Sequence, residues 1–244
     1  MVKTVFSFNP VTKEYVGQCA ADESPLEPGN YLVPAFATTK EPPSTADREV
    51  AVFDDVAGDW MIYPDFRSVP LCSTVDGSAV TVTEIGAQPD NTTDQPRPSI
   101  YHDWDGAAWG LNLNKAQAAI WELIKAERDR RKAGGFKVGT DWFHSDADSR
   151  IQHLGLKDKA RDLLAAGGAM TDNLTILGQP VRWKTMDGSF AIVTAQLAFD
   201  IVAAAGDLDA RLFAVAETHR AAMEAAADPA AYDFSVGWPA TFAG

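Results

Sequence analysis

The chain has 244 residues, 46% of them hydrophobic, with 21 Lys and Arg against 34 Asp and Glu for a net charge of −13. That apolar content excludes global disorder. The negative balance argues against non-specific binding to nucleic acid or to an anionic membrane, because both need a positive field.

The opening MVKTVFSFNP lacks the apolar core of a signal peptide, and no later run approaches the ~18 apolar residues of a spanning helix. A soluble protein used in a cytoplasm is the expectation. Val5, Phe6 and Phe8 precede NPVTKEYVG, where Asn9-Pro10 and Gly17 punctuate a hairpin. SPLEPGNYLVPAFATT predicts a turn and then a short apolar strand ended by Pro34. EVAVFDDVAGDWMIYPDFR predicts two strands around a turn at Asp54 to Gly58, and GSAVTVTEIG alternates as a strand does. All these pieces are short. Pro25, Pro28, Pro34, Pro42, Pro43, Pro64 and Pro70 confine them to edges or loops, so residues 1–87 read as small β-modules rather than one large sandwich. QPDNTTDQPRPS, residues 88–99, is polar, Pro-rich and aperiodic, and opens a linker expected over 88–112. Cys19 and Cys72 form no CxxC and read as two small apolar side chains in a reducing compartment; sequence alone leaves a bridge between them open.

From residue 113 the period is helical. Ala116, Ala119, Ile120, Leu123, Ile124 and Glu127 recur at i, i+3, i+4 in a connecting helix over 113–134. Asn112 or Asn114 can cap its start, and Gly134-Gly135 ends it. Arg128, Arg130, Arg131 and Lys132 crowd its last turns, a solvated helix end rather than a phosphate patch. FKVGTDWFH predicts a strand, followed by a helix from about Asp146 to Ala166 and a hairpin in PVRWKTMDGSFAIV turning at Asp187-Gly188. Two helices follow, one from Thr194 to Ala205 and a second from Leu208 to Ala226, separated at Gly206-Asp207. The second carries Leu208, Leu212, Val215, Ala216, His219 and Met223 on one face. Residues 135–226 thus read as strand, helix, hairpin, helix, helix, a small domain that makes the chain α+β, with an extended aromatic tail over 227–244.

GTDWFHSDADSRIQH, residues 139–153, carries the residues most suggestive of chemistry. His144, Asp146 and Asp148 would share a face only on a strand. Ser145 followed by Asp148 instead resembles a capping box, which places Asp146 and Asp148 in a first helical turn where their charge is favoured. No HxxxH or CxxC spacing is present, and DADSR lacks the glycine and distal glutamate of a calcium loop. There is no GxSxG elbow and no GxxxxGK[ST] loop. No catalytic residue, metal ligand or cofactor is expected. His219 reads as a core or interface histidine holding one hydrogen bond, and the seven tryptophans as core or interface anchors.

FSFNPVTKEYVGQ, SPLEPGNYLVPAFATTKEPP, EVAVFDDVAGDWMIYPDFR and the Trp-Asp-Gly turn of YHDWDGAAWGLN resemble the tail fibre assembly proteins of bacteriophages. The family's usual Asp-x-Arg-Gly is here Asp65-Phe66-Arg67-Ser68. DWFHSDADSRIQHLGL, VRWKTMDGSFAIVTAQL and LFAVAETHRAAM resemble an uncharacterised phage-tail domain. The resemblance implies a non-enzymatic assembly chaperone or accessory protein. Its partner would be the C-terminal region of a trimeric tail fibre, and it would act in the bacterial host cytoplasm or stay on the virion tail. It also implies multiple copies, or a homo-oligomer matched to the trimer. Two alternatives stay open: a permanent structural part of the fibre or baseplate, and a receptor- or glycan-binding tip. The residues expected to touch the partner are Trp142, Phe143, His144, Arg150, Trp183, Lys184 and Trp238, since aromatic and Arg anchors dominate interfaces.

Overall fold

The apolar Val5, Phe6 and Phe8 lead into a fold-back across Asn9-Pro10. The computed structural model describes residues 2–242. In it, β1 (Val2–Phe8) pairs antiparallel with β2 (Tyr15–Asp22), Val5 facing Cys19 and Phe8 facing Tyr15. The Asn9 side chain accepts from the amides of Val11 and Thr12 at 2.8 and 3.1 Å, which fixes the turn. The short strand expected before Pro34 does not form. Tyr31 makes one isolated bridge to Glu23, Leu32 and Val33 are exposed, and the added strand on β1 is β3 (Ala37–Thr38). Pro34 lacks an amide donor and restricts Val33, so a ladder cannot propagate there.

Strands β4 (Glu49–Asp54) and β5 (Asp59–Pro64) form the expected hairpin around Asp54 to Gly58. Phe8, Ala51 and Trp60 make a small core with Phe6 and Phe53, and Phe8 stacks on Phe53 at 4.7 Å. Arg67 grips Glu14 at 2.6 Å and Asp65 at 2.7 Å, and both carboxyls are held below their usual range by the guanidinium. Asp65 also accepts from the Arg67 amide at 3.1 Å, so the Asp65 to Ser68 turn is locked from both ends. Of GSAVTVTEIG only Ala79 and Val80 are strand: β7 (Ala79–Val80) pairs with β6 (Leu71–Ser73), whose other side takes β8 (Thr92–Thr93). Residues 88–99 therefore carry a strand, with Thr93 buried beside Cys72. Both cysteines are free, Cys19 exposed and Cys72 buried. The Trp-Asp-Gly turn joins β9 (His102–Trp104) to β10 (Trp109–Leu111), with Asp105 accepting from the amides of Ala107 and Ala108 at 2.8 Å.

These elements form the first of two compact units, Met1–Leu111; the second is Asn112–Gly244. Helix α1 (Leu113–Lys132) opens the second unit, capped by Asn112, whose side chain accepts from the Lys115 amide at 3.0 Å. Its basic end is neutralised locally. Arg130 and Arg131 close on Glu127 at 2.7 and 2.6 Å and depress its carboxyl to about 2, and Arg128 pairs with Asp129 at 2.8 Å. The segment FKVGTDWFH is a hairpin, β11 (Phe136–Val138) and β12 (Asp141–Phe143), turning at Gly139, whose φ of 59° favours glycine. Helix α2 (Ala147–Ala165) follows. Then come two small hairpins, β13 (Thr175–Ile176) with β14 (Gln179–Pro180), and β15 (Arg182–Lys184) with β16 (Phe190–Ile192).

The last two expected helices are one. Helix α3 (Ala195–Ala225) runs 31 residues, capped by Thr194, and passes through Gly206 without a break. Its buried side chains, from Ala195 through Ile201, Leu208 and Leu212 to Met223, enter all three hydrophobic clusters of this unit. α1 and α2 both pack along it. The α+β class holds. After α3 a short 3-10 turn at Pro229–Ala231 leads into an aromatic tail whose Tyr232, Phe234 and Trp238 lie against the Ile120, Ile124 and Met223 cluster. Of the tail expected over 227–244, residues 243 and 244 lie outside the described residues. No helix among the described residues is long and apolar enough to cross a membrane.

Candidate functional site

The segment joining β12 to α2 is built by two neighbouring side chains that exchange the roles expected of them. Ser145 is not the cap of α2. It is buried, its hydroxyl donating to the Lys132 carbonyl and accepting from the Gly135 amide, both at 2.7 Å, so it ties the end of α1 to the start of α2. The cap is Asp146, which accepts from the Ser149 amide at 3.0 Å and the Ser149 hydroxyl at 2.6 Å. Those bonds lower its carboxyl below the ordinary range. Arg150 then reaches back, donating to the Ser145 carbonyl at 2.7 Å and forking onto Asp209 of α3 at 2.8 and 2.9 Å.

The histidines of this stretch do not converge. His153 is 2% exposed, lying 4.3 Å from the Trp183 ring and near the rings of Phe136 and Phe143. Among the described residues neither of its ring nitrogens has a hydrogen-bond partner, and neither has the Trp183 Nε1. Burial pushes the His153 pKa down to about 4. Among the described residues no group of three or more His, Cys, Asp or Glu is placed to hold a metal ion. His219 is buried on α3 with two hydrogen bonds rather than one: Nε2 donates to the Val236 carbonyl at 2.9 Å, and Nδ1 meets the Tyr232 hydroxyl at 2.8 Å.

The residues expected to touch a partner fall into two groups. His144, Trp183 and Lys184 line one groove of about 670 Å³. The other four lie elsewhere. Phe143 is 0% exposed in the core and is removed from any contact face, because its ring is needed against Phe136, Ile201 and Leu208. Arg150 is committed to Asp209. Trp142 packs its ring edge-to-face with Phe242 at 6.0 Å. Trp238 packs on His219 at 5.1 Å and donates from Nε1 to the Phe234 carbonyl at 2.7 Å.

The groove runs between α2 and β15. Ser149, Gln152, Leu156 and Lys159 form the helical wall, a single face at spacings of three and four. Val181, Arg182, Trp183 and Lys184 form the strand wall, and Ile176 closes one end. Trp183 is half-buried, while Arg182, Lys184 and Lys159 are exposed. Among the described residues no Asp or Glu lines the groove. Sequence reading missed Lys159, Arg182 and the helical wall, although the helix spacing was there to be read. β15 has one side in use. Val193 donates to the Val181 carbonyl and Thr185 to Ser189, both at 2.9 Å, so the hydrogen-bonded pairs fall at Val181, Trp183 and Thr185. The backbone groups of Arg182 and Lys184 point away from β16, and among the described residues none of them has a hydrogen-bond partner.

Residues 115–236 match the family described as "Domain of unknown function (DUF4376)", a span that contains every residue of the groove. The chain is 30% identical over 120 residues to the tail fiber assembly protein of Escherichia phage lambda, covering 49% of this chain and 59% of that protein. It is 29% identical over 98 residues to the prophage tail fiber assembly protein homolog TfaR of Escherichia coli (strain K12), covering 40% and 49%. The chain thus spans only about half the length of the curated relatives it matches. No solved structure matches it. The resemblance to phage tail fibre assembly proteins is borne out by these relatives, and by the matched span the chain belongs to the DUF4376 family.

Proposed function

We propose that the protein takes part in assembling a phage tail fibre as a non-catalytic accessory that binds the fibre's C-terminal region and assists its trimerisation. The observation that carries this reading is the likeness to two proteins named for tail fibre assembly. The physics is consistent with it. Fibre subunits expose apolar strand edges until the trimer closes, and such edges aggregate. A surface that masks them needs complementary shape and chemistry but no reaction, and the groove beside β15, with Leu156 and Trp183 in its walls, supports this reading. Co-expression with the cognate fibre gene tests the reading. The fibre should be soluble and trimeric with this protein and aggregated without it; equal yields of trimer in both cases would overturn it. Mass spectrometry of purified particles then separates the two forms of the role. A transient chaperone is absent or far below stoichiometric, and a structural component is present at fibre stoichiometry.

A further inference from the structure

Arg182 and Lys184 offer an unpaired row of backbone donors and acceptors on the open side of β15, and that row lies along the groove. An unpaired strand edge in water is normally blunted by shortness, charged side chains, proline, a bulge or a covering element, and β15 is short and carries Arg182 and Lys184, which deter pairing with a second copy of itself. It is also flanked by a helix, at a distance that leaves about 670 Å³ open. The helical wall from Ser149 to Lys159 is about 15 Å long, which matches four to five residues of extended chain at ~3.3 Å each.

The charge of the groove points to its occupant. His144, Lys159, Arg182 and Lys184 line it; among the described residues no carboxylate lines it and none of Lys159, Arg182 and Lys184 is ion-paired, the Arg182 guanidinium lying over the Phe190 ring at 4.9 Å. This occurs in a unit holding 15 Lys and Arg against 17 Asp and Glu, where many basic residues, such as Arg130, Arg131 and Arg150, sit beside carboxylates, although Lys137, Lys157 and Arg211 do not. Beneath the cations, Leu156 and Trp183 provide apolar surface.

We propose that the groove binds an extended, acidic segment of the fibre as an added strand on β15. The segment's backbone pairs with Arg182 and Lys184, its apolar side chains lie on Leu156 and Trp183, and its carboxylates face Lys159, Arg182 and Lys184. The proposal rests on the fibre-binding reading above. An anionic polysaccharide would satisfy the cations but has no row of amides to complement the open edge, so the peptide is the better fit.

The full-length protein is titrated with a capped peptide of alternating glutamate and valine, followed by tryptophan fluorescence and calorimetry. Binding is expected to weaken with added salt. It should fall about tenfold when glutamine replaces glutamate, the size that two exposed ion pairs carry. N-methylation of alternate amides, which removes the edge hydrogen bonds, should weaken it by a similar factor. The double variant K159E/K184E should lose about tenfold in affinity for the parent peptide while its circular dichroism and melting stay unchanged. That variant should in turn bind a lysine-valine peptide. The proposal is overturned if the parent peptide does not bind, if the N-methylated peptide or dextran sulfate binds as well as the parent, or if the double variant keeps full affinity. The fibre co-expression assay separates this from the parent reading. If the fibre needs the protein but K159E/K184E supports it normally, the groove assignment falls and the assembly role stands. If the fibre matures without the protein, the assembly role falls and the peptide titration still decides the groove.

Discussion

His153 lies beside the rings of Phe136, Phe143 and Trp183 and makes no hydrogen bond among the described residues. Its folded pKa of about 4 lies below the ordinary 6.5, so the unfolded chain takes up a proton first as pH falls. The stability it contributes is whole above pH 6.5 and is lost as pH drops toward 4, by on the order of 3 kcal/mol. His153→Phe removes the titrating group and no hydrogen bond. It should therefore flatten the acid limb of a melting-temperature profile between pH 6.5 and 4 while changing little at pH 7. A variant as acid-sensitive as the parent would assign that limb to other groups. The neighbouring turn shows how far single residues were legible. Ser145 with Asp148 and Asp146 with Ser149 have the same spacing, and both fit a helix start. What decides between them is the tertiary clasp of Ser145 on Lys132 and Gly135, which local pattern does not contain.

At the scale of elements, Gly206-Asp207 reads as a stop followed by a new cap, yet α3 continues through it. The buried stripe explains why. Ile201, Ala205, Leu208, Leu212, Ala216, His219 and Met223 keep one phase on both sides of the glycine, and a true break would reset it. That signal was present in the sequence and outweighs one poor helix former. Gly206 is exposed, its φ is not positive, and a Cβ placed there would meet nothing within 4 Å. Gly206→Ala should therefore stabilise the protein by about 0.5–1 kcal/mol, read as a higher urea midpoint with an unchanged slope. A loss of stability would mean that α3 bends at this point. The groove was half legible in the same sense. Its helical wall follows from the spacing of Ser149, Gln152, Leu156 and Lys159 on α2, but its strand wall does not. Whether β15 has one neighbour or two depends on which strands pair, and three-residue strands carry too little pattern to say.

For the whole molecule, the net charge of −13 is unevenly divided. Met1–Leu111 holds 6 Lys and Arg against 17 Asp and Glu, a net of −11, while Asn112–Gly244 holds 15 against 17, a net of −2. Composition alone reports only the sum, and so hides a basic groove in the second unit. That unit also has its own three hydrophobic clusters, so residues 112–244 expressed alone should fold and melt in one cooperative transition. A broad, non-cooperative melt would show that its core needs the first unit. The single long α3 has a further consequence, for the order of synthesis. Because α1 packs along a helix that is translated long after it, its Ile120 and Ile124 cannot be buried as they leave the ribosome, whereas α2 has Phe136, Phe143, Leu174 and Trp183 to pack against before α3 is made. At roughly 5–20 residues per second, Ile120 and Ile124 wait on the order of 5–20 s for Ala216 and Met223 to arrive. The α1 side of the second unit therefore completes its core late, and its nascent chain spends that interval exposed to the same aggregation hazard as the strand edges it is proposed to mask.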